Sequence, residues 1–214
     1  MKILRLYTRL PPLLGGMENH IRQLTIEQFK LGHNVAIYYN QGNQVSDSDI
    51  QITKIPLYKI KPQFIGLLIF HSLVLVRLLI NKNKFDIVHI HGDWSSLVFS
   101  KFIKKIVYAN KLILTIHDQL SENIIKKKLL TIFLKPVDVI FSTGFNGAKQ
   151  LKQLTTKKII VQPSGIKEMF FSPPKRDLKN NKFTILTVAN LFPKKNIELV
   201  IEIAQALKDY NFIV

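Results

Sequence analysis

The chain has 214 residues, of which 47% are apolar and none is cysteine, and it carries a formal net charge of +17. This apolar content is enough for a folded core and argues against intrinsic disorder. The length allows one domain and part of a second. The lack of cysteine excludes disulfides and thiolate metal sites and agrees with a reducing cytosol. Arg5 and Arg9 interrupt the apolar N-terminal run, so we expect no signal peptide.

Clustered lysines carry much of the positive charge, and they leave three explanations open. The clusters are Lys101, Lys104 and Lys105; Lys126 to Lys128; and Lys149, Lys152, Lys157 and Lys158. Nucleic acid is not an expected partner, because no recognition motif or aromatic stacking pattern accompanies them. A nucleotide bias in the coding sequence would enrich lysine without functional meaning. The functional alternative is an anionic membrane surface, near which each basic residue gains roughly 1 kcal/mol.

The first predicted elements are a strand, a glycine-containing loop, a helix and a second strand. The first strand covers residues 3–7, Gly15 and Gly16 open the helix, Gly32 follows its C-terminus, and the second strand is residues 35–39. One side of the helix is expected to be apolar, with Met17, Ile21, Leu24 and Leu31. Glycines at a helix N-terminus let a ligand approach the backbone, and the amides there favour an anion.

Residues 64–80 form the most apolar segment, and two interpretations of it stay open. The segment is slightly short for a membrane span of about 20 residues and contains His71 and Arg77. We expect a helix packed under the sheet, with partial insertion into a bilayer as the alternative.

The rest of the chain alternates predicted strands and helices. Such alternation indicates an α/β fold, a Rossmann-like parallel sheet covered by helices on both faces. We assign residues 1–170 to this first domain and residues 171–181, which contain two prolines, to a linker. Residues 182–214 are predicted to begin a second Rossmann-like domain. That domain is expected to be incomplete, because the last predicted strand needs neighbours.

Ligands of doubly wound sheets bind beyond the carboxyl ends of the strands, where several candidate residues fall. His89 and His91 are two residues apart and point the same way on a strand. They could bind a metal, but no third ligand is evident, so a core histidine beside one that reaches the cleft is favoured. His117 could contact a substrate or simply hydrogen-bond to backbone. Glu18 could stabilise its helix N-terminus or bind substrate.

Five ordered motifs resemble those of the retaining family-four glycosyltransferases. The first combines Gly15, Gly16, Glu18 and His20 with the GHNV sequence that starts at Gly32. The others are DIVHIHG with the following LTIHD, then DVIFSTGFNGAKQL, IIVQPSGIKEMFFSPP and TVANLFPKKNIELVIEIAQAL. Together they cover nearly the whole chain, and their common order makes coincidence a poor explanation.

The resemblance implies a two-domain GT-B fold that transfers a hexosyl group from a nucleotide-diphosphate sugar to a glycan or lipid-linked acceptor, with retention of configuration. It places the acceptor mostly on the N-terminal domain and the donor on the C-terminal domain. By the same resemblance, His117 is the catalytic residue, Gly15, Gly16 and Lys195 contact the donor, and the acceptor-side cleft contains Glu18, His20, His91 and Asp118. No metal or other cofactor is expected. The expected setting is cell-envelope or surface polysaccharide synthesis in the cytoplasm, at the inner face of the membrane.

Some positions depart from the family pattern. Ala189 and Asn190 stand where the family has Gly-Arg, Ser164 replaces a hinge asparagine, and Asn196 replaces a glycine. These departures and the expected incomplete second domain leave a second hypothesis, a catalytically inactive remnant that binds carbohydrate or membrane. A third hypothesis is an unrelated Rossmann-like nucleotide-binding protein, which fold analogy alone permits.

Overall fold

The computed structural model describes residues 1–13, 15–42, 50–57, 60–117, 120–166, 171, 183–189, 191 and 195–214. The chain divides into two compact units, Met1–Gly165 and Ile166–Val214. Asp118 and nearly all of the predicted linker lie outside the described residues. Each unit is therefore treated by itself.

The first unit is built on a seven-stranded parallel sheet with the order β3-β2-β1-β4-β5-β6-β7. Its strands are β1 (Lys2–Leu6), β2 (Asn34–Tyr39), β3 (Gln51–Lys54), β4 (Ile87–His91), β5 (Lys111–Ile116), β6 (Val139–Ser142) and β7 (Lys158–Val161). The register aligns Arg5 of β1 with Ile37 of β2 on one side and with His89 of β4 on the other. This topology confirms the predicted Rossmann-like parallel sheet.

Six helices of the described residues accompany this sheet. They are α1 (Gly16–Lys30), α2 (Gln63–Asn81), α3 (Trp94–Leu97), α4 (Ser100–Ile106), α5 (Ile124–Phe133) and α6 (Phe145–Lys152). The chain runs outward from β1 to β3 and then crosses back to β4, so the strand order reverses between β1 and β4. A reversal of this kind opens a crevice at the carboxyl ends of the two strands.

The sheet has two separate cores, one on each face, and alternate residues of β1 and β2 contribute to both. Ile3, Tyr7 and Ile37 pack with Ile21 of α1 on one face. Leu4, Leu6, Ala36, Tyr38, Val88 and Ile90 pack on the other with Phe70 of α2, Leu97 of α3, Ile103 of α4, Leu130 of α5 and Leu151 of α6. Strand β2 is apolar from Val35 to Tyr39 because both of its faces are covered, as expected for a parallel sheet.

The buried side of α1 differs from the prediction. The helix ends at Lys30, and Leu31, which was expected on its apolar side, is 74% exposed. Its fully or nearly fully buried residues are Glu18, Ile21 and Thr25. Two of these are polar because each contacts an arginine. Thr25 accepts a hydrogen bond from the buried Arg5, and Glu18 forms an ion pair with the half-exposed Arg9. Gly32 has φ +79°, the left-handed conformation expected just beyond a helix C-terminus.

Helix α2 packs on one side only. Phe70, His71, Val74 and Leu78 are buried against the sheet, which agrees with the predicted packed helix. The other side carries six large apolar side chains that are at least partly exposed: Phe64, Ile65, Leu73, Val76, Leu79 and Ile80. An 18-residue window of α2 has a mean hydropathy of 2.1 and is 22% buried, so the helix is long and apolar enough to cross a membrane by composition alone.

The segment after β4 forms two short helices, α3 and α4, where the sequence pattern predicts one helix over residues 94–107. Gly92 follows the strand with φ +154°, and Asp93 then caps α3, since its carboxylate accepts a hydrogen bond from the Ser95 amide at 3.0 Å. The break places Trp94 at the carboxyl edge of the sheet, shortly after His91.

We expect Gly92→Ala to destabilise the first unit by roughly 2–3 kcal/mol. A Cβ at this position would lie 2.3 Å from Ser96 Oγ in a conformation that L-residues rarely adopt. The matched control is Gly144→Ala after β6, where a Cβ meets no atom within 4 Å at φ −138°. Urea unfolding followed by circular dichroism would measure both, and equal effects of the two substitutions would contradict the expectation.

The second unit contains a parallel strand pair joined by a helix. Strands β8 (Thr184–Leu186) and β9 (Asn211–Ile213) flank α7 (Ile197–Ala206). Phe183 and Tyr210 pack edge to face with their ring centroids 5.9 Å apart. This arrangement is the βαβ unit with which a Rossmann-like domain begins.

Candidate active site

The candidate site is a group of histidines at the carboxyl edge of the sheet in the first unit. His91 is the last residue of β4, His117 directly follows β5, and His20 lies in the first turns of α1. His89 lies two residues before His91 on the same face of the sheet. We refer to these four residues as the histidine cluster. They meet because the parallel strands end at one edge and α1 starts at the same edge.

Ring contacts and one hydrogen bond link the members of the histidine cluster. His91 Nδ1 lies 3.0 Å from His117 Nε2, and the two rings are stacked with centroids 5.3 Å apart. The His20 ring contacts His117 edge to face at 5.4 Å, and the His89 ring lies 4.2 Å from that of His91. His89 Nε2 in turn hydrogen-bonds to Thr115 Oγ1 at 2.7 Å. The cluster is therefore a continuous column of imidazoles from the sheet interior to its edge.

A buried arginine underlies the histidine cluster. Arg5 is fully buried in β1 and donates hydrogen bonds to Thr25 Oγ1 and Gln28 Oε1 of α1. Among the residues that the structure describes, it forms no ion pair. Burial lowers the pKa of its guanidinium to about 9, so Arg5 still carries a positive charge at neutral pH. The hydrogen bonds of this guanidinium explain why α1 presents two polar side chains, Thr25 and Gln28, to the sheet.

Burial and the Arg5 charge favour the uncharged forms of His20, His89 and His91. Burial lowers the pKa values of His89 and His91 well below 6.5, and the nearby Arg5 and the other imidazoles lower them further. Burial also lowers the pKa of His20, to which Arg5 adds a smaller effect. At neutral pH the His91 ring is therefore neutral, and in its hydrogen bond with His117 one ring donates an N–H and the other accepts it.

The two neighbouring histidines follow the predicted orientation but not the predicted exposure. His89 is a buried histidine with a hydroxyl partner, as the sequence favoured. His91 is also buried, with 3% of its surface exposed, and reaches the edge of the sheet only through His117. Within the described part of the chain, no three histidine or carboxylate side chains are arranged to hold a metal ion.

The glycine loop before α1 is partly filled by the chain itself. Glu18 is 4% exposed, and its carboxylate forms an ion pair with Arg9 Nε at 2.9 Å. A Cβ on Gly15 would lie 2.0 Å from Glu18 Oε2, whereas a Cβ on Gly16 would meet nothing within 4 Å. Gly15 therefore makes room for the carboxylate, and Gly16 leaves open space at the first turn of α1.

A depression of about 500 Å³ adjoins the histidine cluster at the ends of β5 and β6. Its lining includes His117 and the N-terminus of α6: His117, Ser142, Thr143, Gly144, Phe145, Asn146 and Gly147. Thr143 Oγ1 donates to the His117 carbonyl at 3.0 Å, and Ser142 Oγ donates to the Gly144 carbonyl at 2.8 Å. The first bond ties the backbone of His117 to the loop after β6, and the second stabilises that loop. The helix N-terminus adds partial positive charge to the depression.

Two predicted site residues, Lys195 and Asp118, are not among the described residues of the first unit. Lys195 lies in the second unit, where it is exposed and separated from α7 by one residue, Asn196. Asp118 falls outside the described residues. Sequence reasoning missed Arg5, Arg9 and Thr115 as neighbours of the site. The register of Arg5 with His89 could have been anticipated only from the strand pairing, which the sequence does not specify.

The comparisons with known proteins identify the family. A model of Glycosyltransferase Family 4 matches residues 14–168, which is more than half of the chain and spans the glycine loop, the histidine cluster and the α6 depression. The chain belongs to Glycosyltransferase Family 4. This confirms the family that the ordered motifs predicted.

Curated relatives and solved structures agree with this membership. One subunit of human phosphatidylinositol N-acetylglucosaminyltransferase is 26% identical over 220 residues, which cover 95% of this chain and 45% of that protein. The chain spans about half the length of the curated relatives it matches. The catalytic domain of Arabidopsis starch synthase IV, bound to ADP and acarbose, has a TM-score of 0.73 at 12% identity, and the match covers 99% of this chain and 67% of that one. WaaG, a glycosyltransferase involved in lipopolysaccharide biosynthesis, has a TM-score of 0.65 at 11% identity, with 99% and 62% covered. These structures support the GT-B fold.

Proposed function

We propose that this protein transfers a hexosyl group from a nucleotide-diphosphate sugar to a lipid-linked or glycan acceptor with retention of configuration. The observation that carries the proposal is the family match over residues 14–168, the part of the chain that holds the histidine cluster. Among the described residues of this unit, Gly16 leaves space for a substrate at the backbone, and the depression beside His117 leaves space for one at an imidazole.

In this proposal His117 contacts the transferred sugar. A neutral imidazole can hydrogen-bond to a sugar hydroxyl and respond to charge that develops in the transition state. His20 and His91 hold the ring from two sides, while Glu18 and Asp118 belong to the acceptor side. On the second unit, Lys195 and the N-terminus of α7 suit a diphosphate, since a lysine is a compact positive charge and helix amides bind anions. The proposed chemistry requires no metal.

A lipid-linked acceptor is the favoured substrate class. The names of the curated relatives describe enzymes that act on phosphatidylinositol, and the exposed apolar side of α2 lies on the same unit as the candidate acceptor residues. We therefore propose a peripheral protein at the cytoplasmic face of a membrane, with a role in building cell-envelope or surface glycans.

A second candidate, an inactive carbohydrate- or membrane-binding remnant, is favoured by one observation. Asn190 stands where the family pattern has an arginine beside the diphosphate. An uncharged side chain there leaves the donor with one fewer counter-charge.

Isothermal titration calorimetry with a panel of nucleotide diphosphates and their sugars tests the proposal. We expect saturable binding of one nucleotide class and at least a roughly tenfold loss of affinity in Lys195→Ala, since a charge-assisted phosphate contact contributes about 1.5–3 kcal/mol. Lys208→Ala, an exposed lysine elsewhere on the second unit, is the control. Binding with measurable sugar transfer supports the enzyme. Binding of carbohydrate or vesicles without donor binding supports the remnant.

A further inference from the structure

The exposed apolar side of α2 is not explained by the fold of the first unit. Its six exposed large apolar residues follow the helix from one end to the other, and Val76, Leu79 and Ile80 are 52%, 51% and 71% exposed. Arg77 is the single charged residue among the 19 of this helix. A continuous apolar patch of this kind marks a surface that binds a membrane or another macromolecule.

Two further helices on the same face of the sheet also expose large apolar side chains. Helix α3 packs against α2, α4 and α5, so the four helices form one layer. Phe102 of α4 and Ile124, Ile125 and Ile132 of α5 are each more than half exposed. We refer to the outer sides of α2, α4 and α5 as the docking surface.

The docking surface adjoins the carboxyl edge of the sheet. Phe64, in the first turn of α2, contacts Trp94 with the ring centroids 6.0 Å apart. Trp94 begins α3 shortly after β4, and α5 begins a few residues after β5. The N-termini of α2 and α5 therefore lie at the edge on which His91 and His117 stand, and the surface leads to the candidate acceptor site.

Charge is distributed unequally between the two faces of the sheet. Helices α2, α4 and α5 contain one arginine and six lysines but no aspartate or glutamate. Helix α1 on the opposite face carries two acidic and two basic residues. A coding bias toward lysine would affect both faces alike. The excess of positive charge beside exposed apolar side chains therefore points to an anionic partner with an apolar interior.

We propose that the docking surface binds the anionic surface of a lipid bilayer. The apolar side of α2 would insert among the acyl-chain ends, as interfacial amphipathic helices do, while Lys101, Lys126 and Lys128 contact the lipid headgroups. The opposite side of α2 supplies Phe70, Val74 and Leu78, each 0% exposed, to the sheet core. Removing them would expose that core, so α2 lies on the bilayer and does not cross it. The inference rests on the proposed membrane location but not on any transfer activity.

Flotation of the full chain with two kinds of vesicle tests this inference. We expect binding to vesicles of phosphatidylcholine with about 30% phosphatidylserine, a composition chosen as roughly that of an anionic membrane face, and much weaker binding to phosphatidylcholine alone. We expect at least a roughly hundredfold lower partition coefficient for the combined substitution Lys101→Glu, Lys126→Glu and Lys128→Glu, because the loss of three attractions alone accounts for that and three repulsions are added. The combined substitution Val76→Gln, Leu79→Gln and Ile80→Gln should remove the binding that persists at high salt.

Matched controls separate this surface from general charge. The control for charge combines Lys30→Glu, Lys111→Glu and Lys158→Glu, which change the net charge equally but lie at the amino edge of the sheet. The control for apolar exposure is Leu31→Gln, which removes an exposed apolar residue outside the docking surface. These variants should bind vesicles like the unmodified chain. Equal losses in the control and test variants would overturn the inference. So would a self-association, measured by analytical ultracentrifugation, that the α2 variant abolishes while vesicle binding is unchanged.

Discussion

Lowering the pH from 7 to 5 should remove roughly 5 kcal/mol from the free energy of unfolding of the first unit. His71, His89 and His91 are buried, and burial lowers their pKa values, to about 4 for His71 and well below 6.5 for the other two. The unfolded chain protonates these rings near pH 6.5 while the folded unit does not. Below that pH the unfolded state binds more protons, so stability decreases as the pH falls.

Urea unfolding at pH 8, 7, 6 and 5 would measure this effect. Stability should be nearly constant between pH 8 and 7 and then fall, approaching about 1.4 kcal/mol per pH unit for each buried histidine. Repeating the series in 0.5 M NaCl is the control, because salt screens repulsion within a chain of net charge +17 but does not remove a burial cost. A stability independent of pH, or a decrease that salt abolishes, would contradict the assignment to buried histidines.

His117→Ala should lower the rate of glycosyl transfer by at least a hundredfold, roughly the lower limit for losing a positioned catalytic side chain. The expectation rests on the contacts that hold the ring: the His91 hydrogen bond at 3.0 Å and the edge contact with His20 at 5.4 Å. A ring fixed from two sides loses little entropy when it meets the transition state. Donor affinity should change much less than the rate.

His33→Ala provides the matched control for this prediction. His33 lies between α1 and β2, at the amino edge of the sheet, and its backbone amide donates to the Gln28 carbonyl at 3.0 Å. Its replacement should leave transfer within about twofold, as expected for a surface position away from the site. Equal rates for the His117 and His33 variants, with unfolding measured for both, would show that His117 has no direct part in transfer.

Acid sensitivity and the His117 effect depend on different properties of the protein. Acid sensitivity follows from burial alone and holds for an enzyme or a remnant. The His117 effect holds only where transfer occurs. If the protein unfolds in acid as expected but binds no nucleotide sugar, the fold and the buried histidines are supported and the proposed donor binding is excluded.

Much of the architecture could be predicted because it depends on local patterns. Apolar runs such as the one in β5, bounded by turn residues, identify buried parallel strands, and Gly32 marks a helix end through its left-handed conformation. The two-residue spacing of His89 and His91 placed both on one face of β4. Ordered motifs supplied the family, since five matches in sequence carry more information than any one of them.

The contacts that shape the site could not be predicted, because their partners are far apart in the chain. His91 and His117 are 26 residues apart and meet only because β4 and β5 are neighbours. Arg5 counted in the sequence as a charge that interrupts an apolar run. In the fold it is buried beneath the histidines, and its partner Thr25 belongs to the buried side of α1.

The sequence by itself determined the parallel α/β fold, the family and the excess of lysine. It did so because hydrophobic periodicity, turn residues and composition are properties of the chain alone. Only the tertiary structure decided which histidines touch, which side of α2 is buried, and on which face of the sheet the lysines gather. Those properties depend on strand order, which sets the distances between residues that the chain keeps far apart.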